Sequence, residues 1–177
     1  MKKVLTHDFF NRPTLTVAQE LLGKFLVRSY RGKTESYMIT EVEAYDGEKD
    51  LACHAHRGKT ARNEVMFRHA GHIYVYFTYG MHWMLNLVTG PRDYPAAVLI
   101  RGVESASRQI VGPARLTKAL HIDKKLNTKL LSQKSGLWVE DRGVRIPKRS
   151  IQKTSRIGVD RAGSVWAGKP YRFVVKK

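Results

Sequence analysis

Two features of the chain predict an α+β fold. Strand-like and helix-like segments are mixed without the strand–helix–strand alternation of a parallel sheet, and two strand-like runs meet across one punctuating glycine as a hairpin. The size agrees, because 177 residues with 42 % apolar and 27 % charged types can close one hydrophobic core. Residues 1–177 are therefore expected to form a single domain. Thr16-Val17-Ala18-Gln19 has the form of a capping box and predicts a helix that ends near Gly23. From Lys24 the pattern turns to strands: Phe25-Leu26-Val27, a turn at Arg31-Gly32-Lys33, then Tyr37 to Tyr45. Residues 46–72 are polar and rich in Gly, His and Arg, which reads as a long loop of the kind that carries function. Tyr74 to Tyr79 is aromatic and β-prone, Gly80 punctuates it, and His82 to Val88 returns as the second arm. Ala97 to Arg101 reads as a short buried strand. Gly112-Pro113 opens a helix through Ala119-Leu120, followed by helical or irregular chain to about Ser135. Leu137-Trp138-Val139 and Tyr171 to Val175 complete the strands.

Composition removes several classes. The apolar content argues against disorder, and no apolar run approaches the roughly 20 residues of a membrane span. MKKVLTHDFFNRP has lysines but no apolar stretch behind them, so it does not read as a secretory signal. The lone Cys53 forms no disulfide framework and suits a reducing cytosol, so a cytoplasmic protein without membrane contact is expected. Charge is the unusual number: 32 Lys and Arg against 15 Asp and Glu, net +17, with pI near 10.2. Residues 1–50 are balanced, while residues 101–177 carry 19 basic and 5 acidic side chains. That asymmetry is the electrostatic footprint of a polyanion binder, and nucleic acid is the leading partner.

Glu41, Glu43 and Tyr45 share one face of a strand by the period of two. A carboxylate beside an aromatic in a cleft can act as a general base. Taken alone, the pair reads as an exposed edge strand carrying charge. Cys53, His54, His56, His69 and His72 fall close together, but their spacing matches no closed zinc site, and the H-x-E with P-C-x-x-C deaminase pattern is missing. No metal is expected. Tyr74 and Tyr76 share one face of their strand, while Val75, Phe77 and Tyr79 share the other. Tyr79 stands at the turn, where an aromatic on a basic protein can wedge between base pairs. Tyr45, Tyr76 and His54 together can stack on an unpaired base. From composition alone a non-catalytic RNA- or ribosome-binding module ranks first, and a metal-dependent nuclease built on Glu41 and Glu43 is the other rival.

The motifs change that order. Glu43-Ala44-Tyr45, Asp50 to His54, Gly58-Lys-Thr-Ala-Arg62-Asn63, Met66-Phe67, Gly71 to Met81, Asn86, Ala97 to Arg101, Gly112 to Leu120 and Arg156 to Gly163 occur in order across nearly the whole chain. In this series the chain resembles the 3-methyladenine (alkyladenine) DNA glycosylase family, with Ala61 where a proline is common and Cys53 where a small residue is usual. The resemblance implies a mostly antiparallel sheet with a protruding hairpin that enters the DNA minor groove. Residue by residue, it implies that Glu43 activates the attacking water and Arg101 helps to hold it, with a backbone carbonyl near 157–159 completing the water site. Tyr45, His54 and Tyr76 then sandwich a flipped base, Asn86 guards the pocket against the guanine 2-amino group, and Tyr79 fills the vacated stack. Arg57, Lys59 and Arg62 fall to the DNA backbone. The implied protein is a monomeric, cofactor-free glycosylase of base-excision repair. It removes damaged purines such as 3-methyladenine, 7-methylguanine, hypoxanthine or ethenoadenine from double-stranded DNA and leaves an abasic site.

Overall fold

A computed structural model describes residues 2–176. In chain order its elements are β1 (Lys3–Val4), α1 (His7–Phe10), α2 (Thr14–Leu21), β2 (Phe25–Tyr30), β3 (Lys33–Asp46), β4 (Ile73–Thr78) and β5 (His82–Val88). There follow β6 (Ala96–Glu104), β7 (Gln109–Val111), α3 (Pro113–Ala119), β8 (Leu137–Asp141), β9 (Ile151–Thr154), α4 (Gly163–Ala167) and β10 (Arg172–Val175). The sheet runs β1-β8-β2-β3-β6-β5-β4, with β10 bridging β3 and β9, and β7 on β6. The ladders that join them are antiparallel. This is the expected α+β class. No helix among the described residues is long and apolar enough to cross a membrane.

Local chemistry explains the boundaries. Arg31 and Gly32 both take positive φ (49° and 78°), the backbone of a two-residue hairpin between β2 and β3. The first long helix begins at Thr14, behind Pro13, and no side chain caps it. The capping-box reading at Thr16 is therefore corrected. Thr16 lies inside the first turn, and the fixed φ of Pro13 supplies the start instead. β6 is also longer than the short strand expected, running nine residues.

One face of the sheet carries the larger apolar cluster and the other a smaller one. Leu26, Ile39, Val42, Ala44, Leu85, Leu87, Val98 and Ile100 pack in one cluster with Val17, Leu21 and Leu116 of α2 and α3. Each fully buried aliphatic side chain there contributes about 1.5–3 kcal/mol, so this face holds the sheet together. In β3 the buried core residues switch from odd positions (Tyr37, Ile39) to even ones (Val42, Ala44). The switch coincides with register shifts against β6 between Ile39, Glu41 and Val42. The first shift leaves Thr40 of β3 unpaired and the second leaves Arg101 of β6 unpaired, and the extra residue in β3 re-phases that strand. Without it Glu41, Glu43 and Tyr45 would point into the helical core. With it they point to the opposite face, where Tyr45 packs against the cluster formed by residues 46–72. That segment is irregular, as expected, apart from a 3-10 turn at Glu64–Phe67. It is not wholly polar: Cys53, Ala55, Val65, Met66 and Phe67 form a second cluster with Tyr74, Val88 and Ala97.

Candidate active site

A cavity of about 300 Å³ opens on this second face, at the small end of the range for ligand pockets. Glu43, Tyr45, His54, Tyr76, Tyr79, Asn86 and Arg101 all line it. Four strands and one loop supply them: β3 the first two, β4 and its turn the tyrosines, β5 Asn86, β6 Arg101, and the irregular segment His54. The main chain at 157–159 also lines the wall.

Glu43 sits at the bottom with no exposed surface. The edge-strand reading of the Glu41 and Glu43 pair is thereby overturned, because β3 is flanked at this point by β6 and β10. Oε2 of Glu43 accepts from the Tyr45 hydroxyl at 2.9 Å, and Oε1 accepts from the Ile157 backbone N–H at 2.8 Å. Arg101 Nη1 lies 3.4 Å from the same Oε1. The main-chain group of the 157–159 segment that meets Glu43 is thus an N–H. Burial raises the carboxyl above its ordinary value, against the pull of Arg101, the Ile157 N–H and the Tyr45 hydroxyl. A carboxylate shifted this way is a better base near neutral pH.

The walls are aromatic. His54 meets Tyr76 edge-on with ring centroids 4.5 Å apart, and its Nδ1 is 2.9 Å from the Tyr74 hydroxyl. His54 is exposed to solvent in part, yet burial, followed by the Arg62 charge, lowers it to about 4, so it is neutral at pH 7. Burial raises Tyr76 to about 12, which keeps its ring un-ionised. Asn86 is buried, and its amide donates to the carbonyls of Tyr74 (3.2 Å) and Met84 (3.4 Å).

Tyr79 is 79 % exposed at the rim. Its φ is 53° and that of Gly80 is 66°, and Met81 N–H closes the turn on the Thr78 carbonyl at 3.2 Å. A bulky residue in the left-handed region is strained, and here the strain serves to project a ring from the hairpin tip. Of the three basic residues expected at the DNA backbone, none lines the cavity. Arg57, Lys59 and Arg62 are exposed around its loop. Lys59 Nζ stands 5.5 Å from the Phe67 ring, and the Arg62 guanidinium stands 5.2 Å from the Tyr76 ring.

Three contributors escaped the sequence reading. Arg156 is buried, donates to both oxygens of the fully buried Asp50 and to the Ala44 carbonyl, and lies 4.8 Å from the Tyr45 ring. Asn63 donates to the carbonyls of His54 and Gly58, which shapes the loop that presents His54. Arg172 pairs with Glu41 at 2.7 Å. Arg156, Asp50 and Asn63 all stood within the motifs, which was the available signal. Arg172 had none. Among the described residues no three His, Cys, Asp or Glu side chains gather as metal ligands. His56 and His72 are instead paired with the backbone carbonyls of Cys53 and His69.

The sequence model of the methylpurine-DNA glycosylase family matches residues 8–177. Curated relatives carry the name "Putative 3-methyladenine DNA glycosylase". One from Methanocella arvoryzae is 45 % identical, covering 98 % of this chain and 92 % of the relative. Another from Carboxydothermus hydrogenoformans is 43 % identical over 98 % and 95 %, and one from Psychrobacter cryohalolentis is 42 % identical over 92 % and 88 %.

Proposed function

The chain belongs to the methylpurine-DNA glycosylase family and is a DNA glycosylase, and we propose that it excises damaged purines from duplex DNA with a water molecule activated by Glu43. The observation that supports this reading most is a fully buried carboxylate at the bottom of an aromatic-walled cavity whose rim carries an exposed, strained tyrosine. A damaged purine pairs or stacks poorly, so rotating it out of the helix costs less than for a normal base. Tyr79 occupies the vacated stack. The base enters between Tyr45, His54 and Tyr76, and Asn86 meets its edge. Alkylation at N3 or N7 makes a purine cationic, which improves it as a leaving group. Cleavage of the glycosidic bond develops oxocarbenium character on the sugar. Glu43 takes a proton from water as the oxygen attacks the sugar carbon, and its negative charge stabilises the cation. Arg101 holds the water. The products are free base and an abasic site in an intact strand. Exposed basic residues of 101–177, with Arg57, Lys59 and Arg62, neutralise phosphates, which makes affinity steeply salt-dependent. The enzyme acts as a monomer.

Among the described residues no lysine lines the cavity, so an amine nucleophile has no place in this reading. Duplexes carrying one lesion each, incubated in excess EDTA, should yield strand breaks only after alkali. Borohydride during turnover should trap no protein–DNA adduct. Excision abolished by EDTA, or a trapped adduct, overturns the water mechanism.

Tyr79→Ala should weaken retention of the flipped base by about 1–3 kcal/mol, roughly 5- to 150-fold. Fluorescence of a flipped etheno-base reads this directly. Substrates whose lesion is already unstacked should lose little, and equal loss on every substrate would remove the wedge role.

A further inference from the structure

We propose that Glu41 and Arg172 are positioning residues that hold Arg101 in place and balance the charge around Glu43. The proposal rests on the assignment of Glu43 as the base. Glu41 is only 6 % exposed. Its Oε1 accepts from Arg101 Nε at 2.9 Å and from Arg172 Nε at 2.7 Å. Arg172 is itself tied by Nη1 to Thr154 Oγ1 at 3.1 Å, and it stands opposite Glu43 in the β3–β10 register. Gripping Arg101 by Nε leaves its terminal nitrogens for Glu43 and the cavity. The backbone makes room for this arrangement at Gly102, where a Cβ would come within 2.9 Å of the Glu41 Cβ. Two carboxylates and two guanidinium groups therefore form one cluster, neutral when all four are ionised.

Every other group facing Glu43 is separate from that pair. β3 contributes the Tyr45 hydroxyl, β4 the Tyr76 ring, and the 156–157 segment the Arg156 charge and the Ile157 N–H. Removing the Glu41 charge gives Glu43 sole use of Arg101, which favours its ionised form. Removing the Arg172 charge makes Glu41 compete for Arg101, which disfavours it. The two changes push Glu43 in opposite directions, which a purely structural pair does not do.

The test is the pH profile of single-turnover excision on a hypoxanthine duplex, since the rate falls as pH drops through the titration of Glu43. Glu41→Gln should move this acid limb to lower pH by about half a unit or more, and Arg172→Met should move it up by a similar amount. Arg172→Lys should leave it near wild type, and the Glu41→Gln/Arg172→Met pair should return toward it. Rates lowered at all pH values with unmoved limbs overturn the proposal. If Arg172→Met does not fold, the direction of the Glu41→Gln shift decides. Substantial excision by Glu43→Gln removes the base assignment itself. An inactive Glu43→Gln with unmoved limbs in the other variants removes only this inference.

Discussion

Glu43→Gln is expected to lower single-turnover excision by about 10²–10⁴-fold while lesion-duplex binding changes little, the usual range for loss of a general base. The substitution keeps shape and most contacts. The amide oxygen can accept from the Ile157 N–H, and the amide nitrogen can donate to the Tyr45 oxygen, while the ion pair with Arg101 becomes a neutral contact. What disappears is the ability to take a proton and the negative charge near the sugar. The variant should also be no less stable than wild type at neutral pH. Burial raises the Glu43 carboxyl in the folded state above its ordinary 4.5. The folded state therefore binds more protons than the unfolded chain between those two values, and wild-type stability falls as pH rises through that window. Glutamine has no such penalty. The stability gap in favour of the variant should open as pH rises from about 4.5 and then level off above the folded-state value. Thermal melts across pH 4 to 8 read the gap, and excision assays read the base. Near-normal excision by the folded variant would remove Glu43 from the mechanism.

The sequence carried the cavity's lining residues but not the reason that they meet. Period-two alternation correctly put Glu41, Glu43 and Tyr45 on one face. It could not say which face, because two register shifts decide that, one leaving Thr40 of β3 unpaired and one leaving Arg101 of β6 unpaired, and such shifts leave no mark on residue types. The β4–β5 hairpin was legible because Gly80 interrupts alternating aromatics, and Tyr79 at its tip is the exposed ring expected. The strands β1, β7 and β9 and the helices α1 and α4 were not legible. Each has five residues or fewer, too short for a periodic signal, and tertiary pairing rather than propensity makes them. The Glu41–Arg172 contact was also hidden, since 131 positions separate its partners and only the β3–β10 ladder brings them together.

The same long-range logic gives the largest stability effect. Arg156→Met is expected to destabilise the protein by about 3–5 kcal/mol, the range for breaking a buried ion pair by removing one partner. At about 2–4 °C per kcal/mol for a chain of this size, the melting temperature should fall by roughly 6–20 °C. Asp50 has no exposed surface, and Arg156 is only 4 % exposed. Methionine fills much of the space between the rings of Tyr45 and Tyr171, which lie 4.8 and 5.2 Å from the guanidinium carbon. It cannot answer the carboxylate. The N–H groups of Asp46 and Ala52 would be the partners left to Asp50, at 3.1 Å each. Two controls separate charge from packing. Arg156→Met with Asp50→Asn should recover part of the loss, because the stranded charge is gone. Raising ionic strength should change the wild-type melting temperature little through this pair, because solvent does not reach it. A loss below about 1 kcal/mol for Arg156→Met would mean that the pair is only packing. Because Arg156 also ties the 156–159 segment to residues 44–50, a folded Arg156→Met protein at low temperature should bind lesion DNA more weakly, with the Tyr45 ring no longer backed by the guanidinium.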